Sequence, residues 1–128
     1  MAAQESVAFR NAGLNAKAAS LGQSATLTIF AGAKPADCTQ PDPVNPLVPM
    51  SLPASPFGPA ANGVLSLTGL WRGIGTGAGT ASSFRIYDSG INCAIQGVVP
   101  DDLTLSNVHI NVGQAVTVLA CNITAGNP

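Results

Sequence analysis

The chain has 128 residues, 46 % of them hydrophobic and only 9 % charged, with a net charge of -1. A soluble domain usually carries about 25 % charged residues. The length predicts one domain, residues 1–128, with a sizeable core, and the few scattered cations exclude the basic surface that nucleic-acid binding requires. Such a shortage of charge predicts a surface that partners cover.

The first element is a predicted amphipathic helix over residues 4–21. Val7, Leu14 and Leu21 recur at helical spacing, and Gly22 follows as a helix stop. The N-terminus lacks the basic and apolar segments of a secretory signal, and no later stretch approaches the ~18 apolar residues of a membrane helix. We therefore expect synthesis in a cytoplasm and no membrane partner.

A strand is predicted within residues 25–31, where apolar and threonine residues alternate. A proline-rich arm or loop, residues 33–62, follows it and holds eight of the ten prolines, too many missing N–H donors for a central strand. Its apolar residues argue against a disordered linker; they are Leu47, Val48, Met50, Leu52 and Phe57. We expect this arm to lie along its own sandwich or on a neighbouring subunit, with these residues as interface candidates.

The rest of the chain alternates between short apolar strands and turns. The predicted strands are 64–70, 83–87, 91–98, 103–105, 108–112 and 115–124. Together they predict a mainly β fold, in which residues 25–31 and 63–125 form an antiparallel β-sandwich or partly closed barrel. The N-terminal helix and the proline-rich arm flank it.

A glycine-rich run, residues 73–78, fits a loose nucleotide-binding pattern. A phosphate site would need a helix directly after this run, whereas a strand follows it. The run is therefore predicted to be a flexible hairpin loop or bulge. Before it, Trp71 and Arg72 belong to residue types that are enriched in interfaces, although Trp71 could equally plug the end of the sandwich.

No catalytic or metal-binding constellation stands out in the sequence. His109 is the only histidine and is predicted to be solvated, and Asp101 and Asp102 suit a turn better than a calcium loop. An enzyme would need several titratable groups that converge in a pocket. We expect a protein that is not an enzyme and uses no cofactor or metal.

The three cysteines leave two readings open. In a reducing compartment all three would be free thiols, with Cys93 and Cys121 buried in strands as small hydrophobes. Cys38 lies in the proline-rich segment and is expected to be exposed. It could form an interchain disulfide after release into an oxidising medium.

Several segments resemble, in the same order, small virion structural proteins of tailed bacteriophages. These segments are residues 10–16, 25–32, 34–36, 56–65, 77–90 and 122–127. The resemblance spans nearly the whole chain, but its motifs are structural and carry no chemistry. The cysteines depart from the pattern.

The resemblance implies a component of the phage particle, and specifically a capsid decoration or cement protein. Such a protein would bind at junctions between capsid subunits, with the major capsid protein and copies of itself as partners. Its location would be the virion, after assembly in the cytoplasm of the host bacterium. The alternative is a tail or fibre-associated protein that binds a host surface, which would present Trp71 and Tyr87 as a saccharide platform.

Overall fold

A computed structural model describes residues 6–53, 56–62, 64–99 and 101–124. Within these ranges the protein is mainly β, with antiparallel sheets in a sandwich-like arrangement and a short N-terminal helix. This confirms the predicted fold class. Seven residues of predicted elements lie outside the described ranges: 4, 5, 54, 55, 63, 100 and 125.

The N-terminal helix, α1, spans Val7–Ser20. Ser6 caps it, since its hydroxyl accepts a hydrogen bond from the Phe9 N–H at 3.1 Å. Leu14 and Leu21 are buried as the spacing predicted. The helix begins later than residue 4 because the cap at Ser6 sets its start, and it ends one residue before Leu21.

In the described part of the chain ten strands follow, several of them only two or three residues long. They are β1 (Thr26–Phe30), β2 (Pro46–Ser51), β3 (Val64–Ser66), β4 (Arg72–Ile74), β5 (Gly79–Thr80), β6 (Ser83–Tyr87), β7 (Cys93–Val98), β8 (Leu103–Leu105), β9 (His109–Ile110) and β10 (Ala115–Thr124). The first sheet has the order β2-β1-β6-β7, β10 pairs with β3, β4 and β8 in the second, and β5 pairs with β9. Both larger sheets contribute to one core.

The predicted strands 83–87, 103–105 and 115–124 match β6, β8 and β10. The strands predicted over 64–70 and 108–112 are shorter than expected, and β7 begins at Cys93 rather than at residue 91. Asp88 explains that later start. Its carboxylate accepts hydrogen bonds from the backbone N–H groups of Gly90 and Asn92 and so holds the residues before Cys93 in a turn.

The proline-rich arm contains a strand that the sequence analysis did not predict. Strand β2 pairs with β1 in antiparallel register, but it lies at the edge of its sheet. The Leu52 N–H donates to the Ala25 carbonyl at 3.0 Å. In an antiparallel pair every second residue directs its backbone groups toward the partner strand, so Met50 and Val48 do so as well, and Pro49 between them does not. Pro49 therefore faces the free edge, where its missing N–H costs no ladder bond.

The predicted loop is confirmed for residues 75–78, which connect β4 to β5, whereas Gly73 and Ile74 at the start of the glycine-rich run belong to β4. The run packs directly on other backbone segments. A Cβ on Gly73 would lie 2.8 Å from the Pro49 carbonyl oxygen, and one on Gly77 would lie 2.6 Å from that of Pro46. Glycine is needed here because the backbones approach too closely for any side chain.

Candidate functional surfaces

Six of the seven predicted interface residues lie inside the protein's own core, at 0–7 % exposure. They are Leu47, Val48, Met50, Leu52, Phe57 and Trp71. The prediction of an interface role was wrong for these six, because β2 pairs with β1 and the arm turns its apolar side chains into the sandwich. Arg72 remains exposed on β4.

Trp71 plugs the core, as the second reading of that residue expected. Its ring meets Phe57 edge-on with the centroids 5.3 Å apart, and its Nε1 donates to the Thr68 carbonyl at 3.1 Å. Since Trp71 is 0 % exposed, it cannot form the saccharide platform with Tyr87 that the tail-fibre alternative required.

The cysteines depart from both readings. Cys38 forms a disulfide with Cys93 of the same chain, with the two Cα atoms 5.4 Å apart, so Cys38 is not available for an interchain bridge. The reason is that residues 33–45, the outer segment, fold back over the first sheet and bring Cys38 beside β7. Cys121 is free and buried, as predicted.

The buried Arg85 side chain holds the outer segment to the first sheet. It projects from β6, where its Nε and Nη2 donate to Gln96 Oε1 at 3.2 and 3.1 Å. Nη1 donates to Asp42 Oδ1 at 3.0 Å, and Nη2 donates to the Asp37 carbonyl at 3.2 Å. These bonds satisfy a guanidinium that would otherwise be costly to bury.

Tyr87 and Gln96 add two bonds to this attachment. The Tyr87 hydroxyl donates to Asp42 Oδ1 at 2.7 Å, and Gln96 Nε2 donates to the Pro35 carbonyl at 2.8 Å. Burial first, and then the Asp42 carboxylate, raise the pKa of the Tyr87 phenol well above its usual value. These bonds join the outer segment to β6 and β7, so the cluster holds that segment on the first sheet.

An exposed apolar surface lies on the outer side of the second sheet. Trp71 and Val116 point into the core, so their neighbours along β4 and β10 point outward. The large apolar residues of this surface are Leu70, Ile74 and Leu119, which are 66 %, 51 % and 60 % exposed. With Arg72 beside them they form what we call the β4–β10 face.

A second exposed surface lies on the outer side of the first sheet. A cavity of 470 Å³ runs along β1; its lining residues are Thr26, Thr28, Phe30, Asp42, Pro43, Pro46, Tyr87 and Ile91. Ile91 is 80 % exposed, and Val44, next to the lining residue Pro43, is 69 % exposed. We call the cavity and these two residues the β1 groove.

The remaining polar candidates do not form a convergent site. His109 Nδ1 lies 3.2 Å from the Thr80 hydroxyl in an exposed pair, and Asp102 caps its own turn by accepting the Val98 N–H at 2.9 Å. In the described ranges, no three His, Cys, Asp or Glu side chains group as metal ligands would. The described helix also lacks the length and apolar character of a membrane-spanning segment.

The sequence pointed to Arg72 on the β4–β10 face and to Tyr87 in the β1 groove, but not to the exposed apolar residues beside them, although one signal for these was present. The alternation of Leu70, Arg72 and Ile74 with Trp71 has the period of a strand with one buried face, but the intervening glycines indicated a loop. Comparison with models of protein families, with curated proteins and with solved structures finds no match to this chain.

Proposed function

We propose that this protein is a structural component of a bacteriophage virion, a capsid decoration or cement protein that binds at junctions between capsid subunits. One observation carries the proposal: large apolar side chains are exposed on both outer sides of the sandwich, in a chain with very little charge. A cement protein must adhere to more than one neighbour, and two separated apolar surfaces suit that task.

The energetics favour adhesion through these surfaces. Each Å² of apolar surface removed from water contributes about 25 cal/mol before the costs of association are subtracted. Few charges mean little desolvation penalty and little repulsion when many copies crowd on one shell. A protein that binds only the assembled shell stabilises it by mass action.

The test is to locate the protein in purified particles by electron microscopy and to add it to shells that lack it. We expect density over the junctions between capsid subunits and a higher temperature of shell disruption when the protein is bound. Absence from the virion, or no binding to shells at saturating protein, would contradict the proposal.

A pair of variants tests whether the apolar surface is responsible. Leu119→Lys places a charge on the β4–β10 face and is expected to weaken shell binding at least tenfold, whereas Gln23→Lys adds the same charge at an exposed polar position outside that face. Equal binding by the two variants would show that the β4–β10 face is not involved.

A further inference from the structure

We propose that the Cys38–Cys93 disulfide is a redox-sensitive latch on the outer segment. Reduction of this bond lets residues 33–45 move away from the first sheet, and oxidation closes them over the sheet again. The inference goes beyond the proposed function, because it concerns a change of shape in the free protein and needs no capsid.

The outer segment is a loop that can move without disturbing the core. The Gly32 N–H donates to the Val44 carbonyl at 3.0 Å, which ties the two ends of the loop together at its base. None of residues 33–45 is buried, so the segment contributes no side chain to the hydrophobic core. A surface loop with a closed base and few buried contacts opens locally, at a much lower free-energy cost than unfolding of the whole domain.

The side chains of the first sheet that hold the outer segment are polar. Thr28 of β1, Arg85 of β6 and Gln96 of β7 lie side by side in the register of the three strands and therefore on the same side of the sheet. Arg85 is 2 % exposed while the segment covers it, and a guanidinium is most stable in water. Opening therefore hydrates Arg85 in exchange for the bonds that it loses.

Without the disulfide, the middle of the outer segment keeps only polar contacts that water can replace. These are the hydrogen bonds from Arg85, Tyr87 and Gln96 described above. The Asp42 side chain that accepts two of them is 56 % exposed, so water competes for its carboxylate. Such bonds contribute little net free energy, and the disulfide therefore decides whether the segment stays closed.

The disulfide is accessible to the chemistry that opens it. Cys38 and Cys93 are both partly exposed, which gives a small dithiol access to the bond. A thiolate of the dithiol attacks one sulfur atom and breaks the S–S bond, and the second thiol then resolves the mixed disulfide. Two electrons and two protons pass to the cysteines, and the dithiol leaves as a disulfide. Reoxidation is the reverse exchange, with a small-molecule disulfide as the oxidant.

The position of the latch links it to the β1 groove. Asp42 and Pro43 line this cavity from the outer segment, whereas Tyr87 and Ile91 line it from the part of the chain that leads into Cys93. The bond from Cys38 to Cys93 holds these two parts of the lining together. The groove therefore keeps its shape in an oxidising medium and loses part of its lining in a reducing compartment, where thiols stay reduced.

The experiment follows the modification of arginine by phenylglyoxal, which reacts with accessible guanidinium groups, in the purified full-length protein by mass spectrometry. In the oxidised protein we expect the exposed Arg72 to react and Arg85 to be protected. The protein is then reduced with dithiothreitol, which is removed without admitting oxygen. Arg85 should now react at least about tenfold faster, because its reactivity follows the population of the open form, while the rate at Arg72 stays the same.

Two variants separate the latch from other effects of the reductant. Cys38→Ser opens the latch by itself, so Arg85 should react as fast in this variant as in the reduced unmodified protein, and dithiothreitol should cause no further increase. Gln40→Ser changes an exposed side chain of the same segment and leaves the disulfide intact. Arg85 in this control should stay protected until the protein is reduced.

Hydrogen exchange in β1 and β6 shows whether the sheet stays folded when the outer segment opens, and we expect it to stay protected. Three results would overturn the proposal. The first is an air-oxidised protein that lacks the Cys38–Cys93 bond, and the second is an Arg85 that stays protected after reduction and in Cys38→Ser. The third is loss of protection throughout β1 and β6 on reduction, which would make the disulfide a cross-link of the whole fold.

Discussion

The two parts of the proline-rich stretch both contain several prolines, but they are held to the sandwich by different forces. Strand β2 is held by burial, since Leu47, Val48 and Met50 lie in the core. The outer segment, residues 33–45, is held by a disulfide and by the bonds of Arg85 and Tyr87. Proline content therefore does not decide how a segment is stabilised; the side chains between the prolines do.

The largest effect is expected in β2. Leu47→Ala removes a fully buried side chain and should lower the free energy of unfolding by about 2–5 kcal/mol. Chemical denaturation measures this loss. Val44→Ala, in the outer segment, removes an exposed side chain and should change stability by less than about 0.5 kcal/mol. Similar losses in the two variants would contradict the burial of β2.

Removal of the disulfide should have the next largest effect. Cys38→Ser combined with Cys93→Ser opens a cross-link that spans 55 residues and should cost about 2–4 kcal/mol, chiefly by freeing the unfolded chain. Thermal denaturation with and without a reductant measures it. The reductant should lower the melting temperature of the unmodified protein and leave that of the double variant unchanged.

Loss of the Arg85 guanidinium should loosen the outer segment more than the core. Arg85→Met leaves Gln96 and the Asp37 carbonyl without their donor, and about 1–3 kcal/mol of stability should be lost. Hydrogen exchange should become faster in residues 36–42, while β1 stays protected. Arg72→Met, which removes a guanidinium at an exposed position, serves as the control at low protein concentration. If hydrogen exchange in the Arg85→Met variant became uniformly faster over the whole chain, a local role for Arg85 would be contradicted.

A rise of one pH unit in the alkaline range should change the stability less than these substitutions do. Burial raises the pKa of the Cys121 thiol from 9.0 to about 12, and the pKa of Tyr87 is raised above 10.0. The unfolded chain loses these protons first, so stability is complete below pH 9 and declines above it, by up to about 1.4 kcal/mol per pH unit for the thiol.

The variant Tyr87→Phe separates the two groups. It removes one titration, so its stability should decline less steeply above pH 10 than that of the unmodified protein. Denaturation midpoints between pH 8 and 11 measure both slopes. Parallel curves would show that the Tyr87 proton is not held by Asp42 in the folded protein.

Local alternation was enough to predict β6, β8 and β10, because each strand turns one regular apolar face to the core. It failed for β2, because prolines are tolerated only in a strand at the edge of a sheet. Which strand lies at the edge depends on pairing between segments that are distant in the sequence. It failed for β4 as well, because Gly73 lies in that short strand and glycine at every second position indicated a loop. Residues 75–78 do form a loop, and Gly73, Gly75 and Gly77 lie where the chain closely approaches other backbone.

The disulfide and the exposed surfaces depend on contacts between distant parts of the sequence. Nothing near Cys38 distinguishes Cys93 from Cys121 as its partner; the return of the outer segment across β6 decides it. In the same way, the exposure of Ile74 and Leu119 follows from the register of β4 and β10, which a single sequence does not reveal.

The contact between β4 and β2 at Gly73 has a mechanical consequence. The backbone of β4 lies there directly against the Pro49 carbonyl and the side chains of Val48 and Met50, with no side chain of its own between them. A larger residue at position 73 would have to push β4 away from β2, and it would therefore separate the two sheets where they meet.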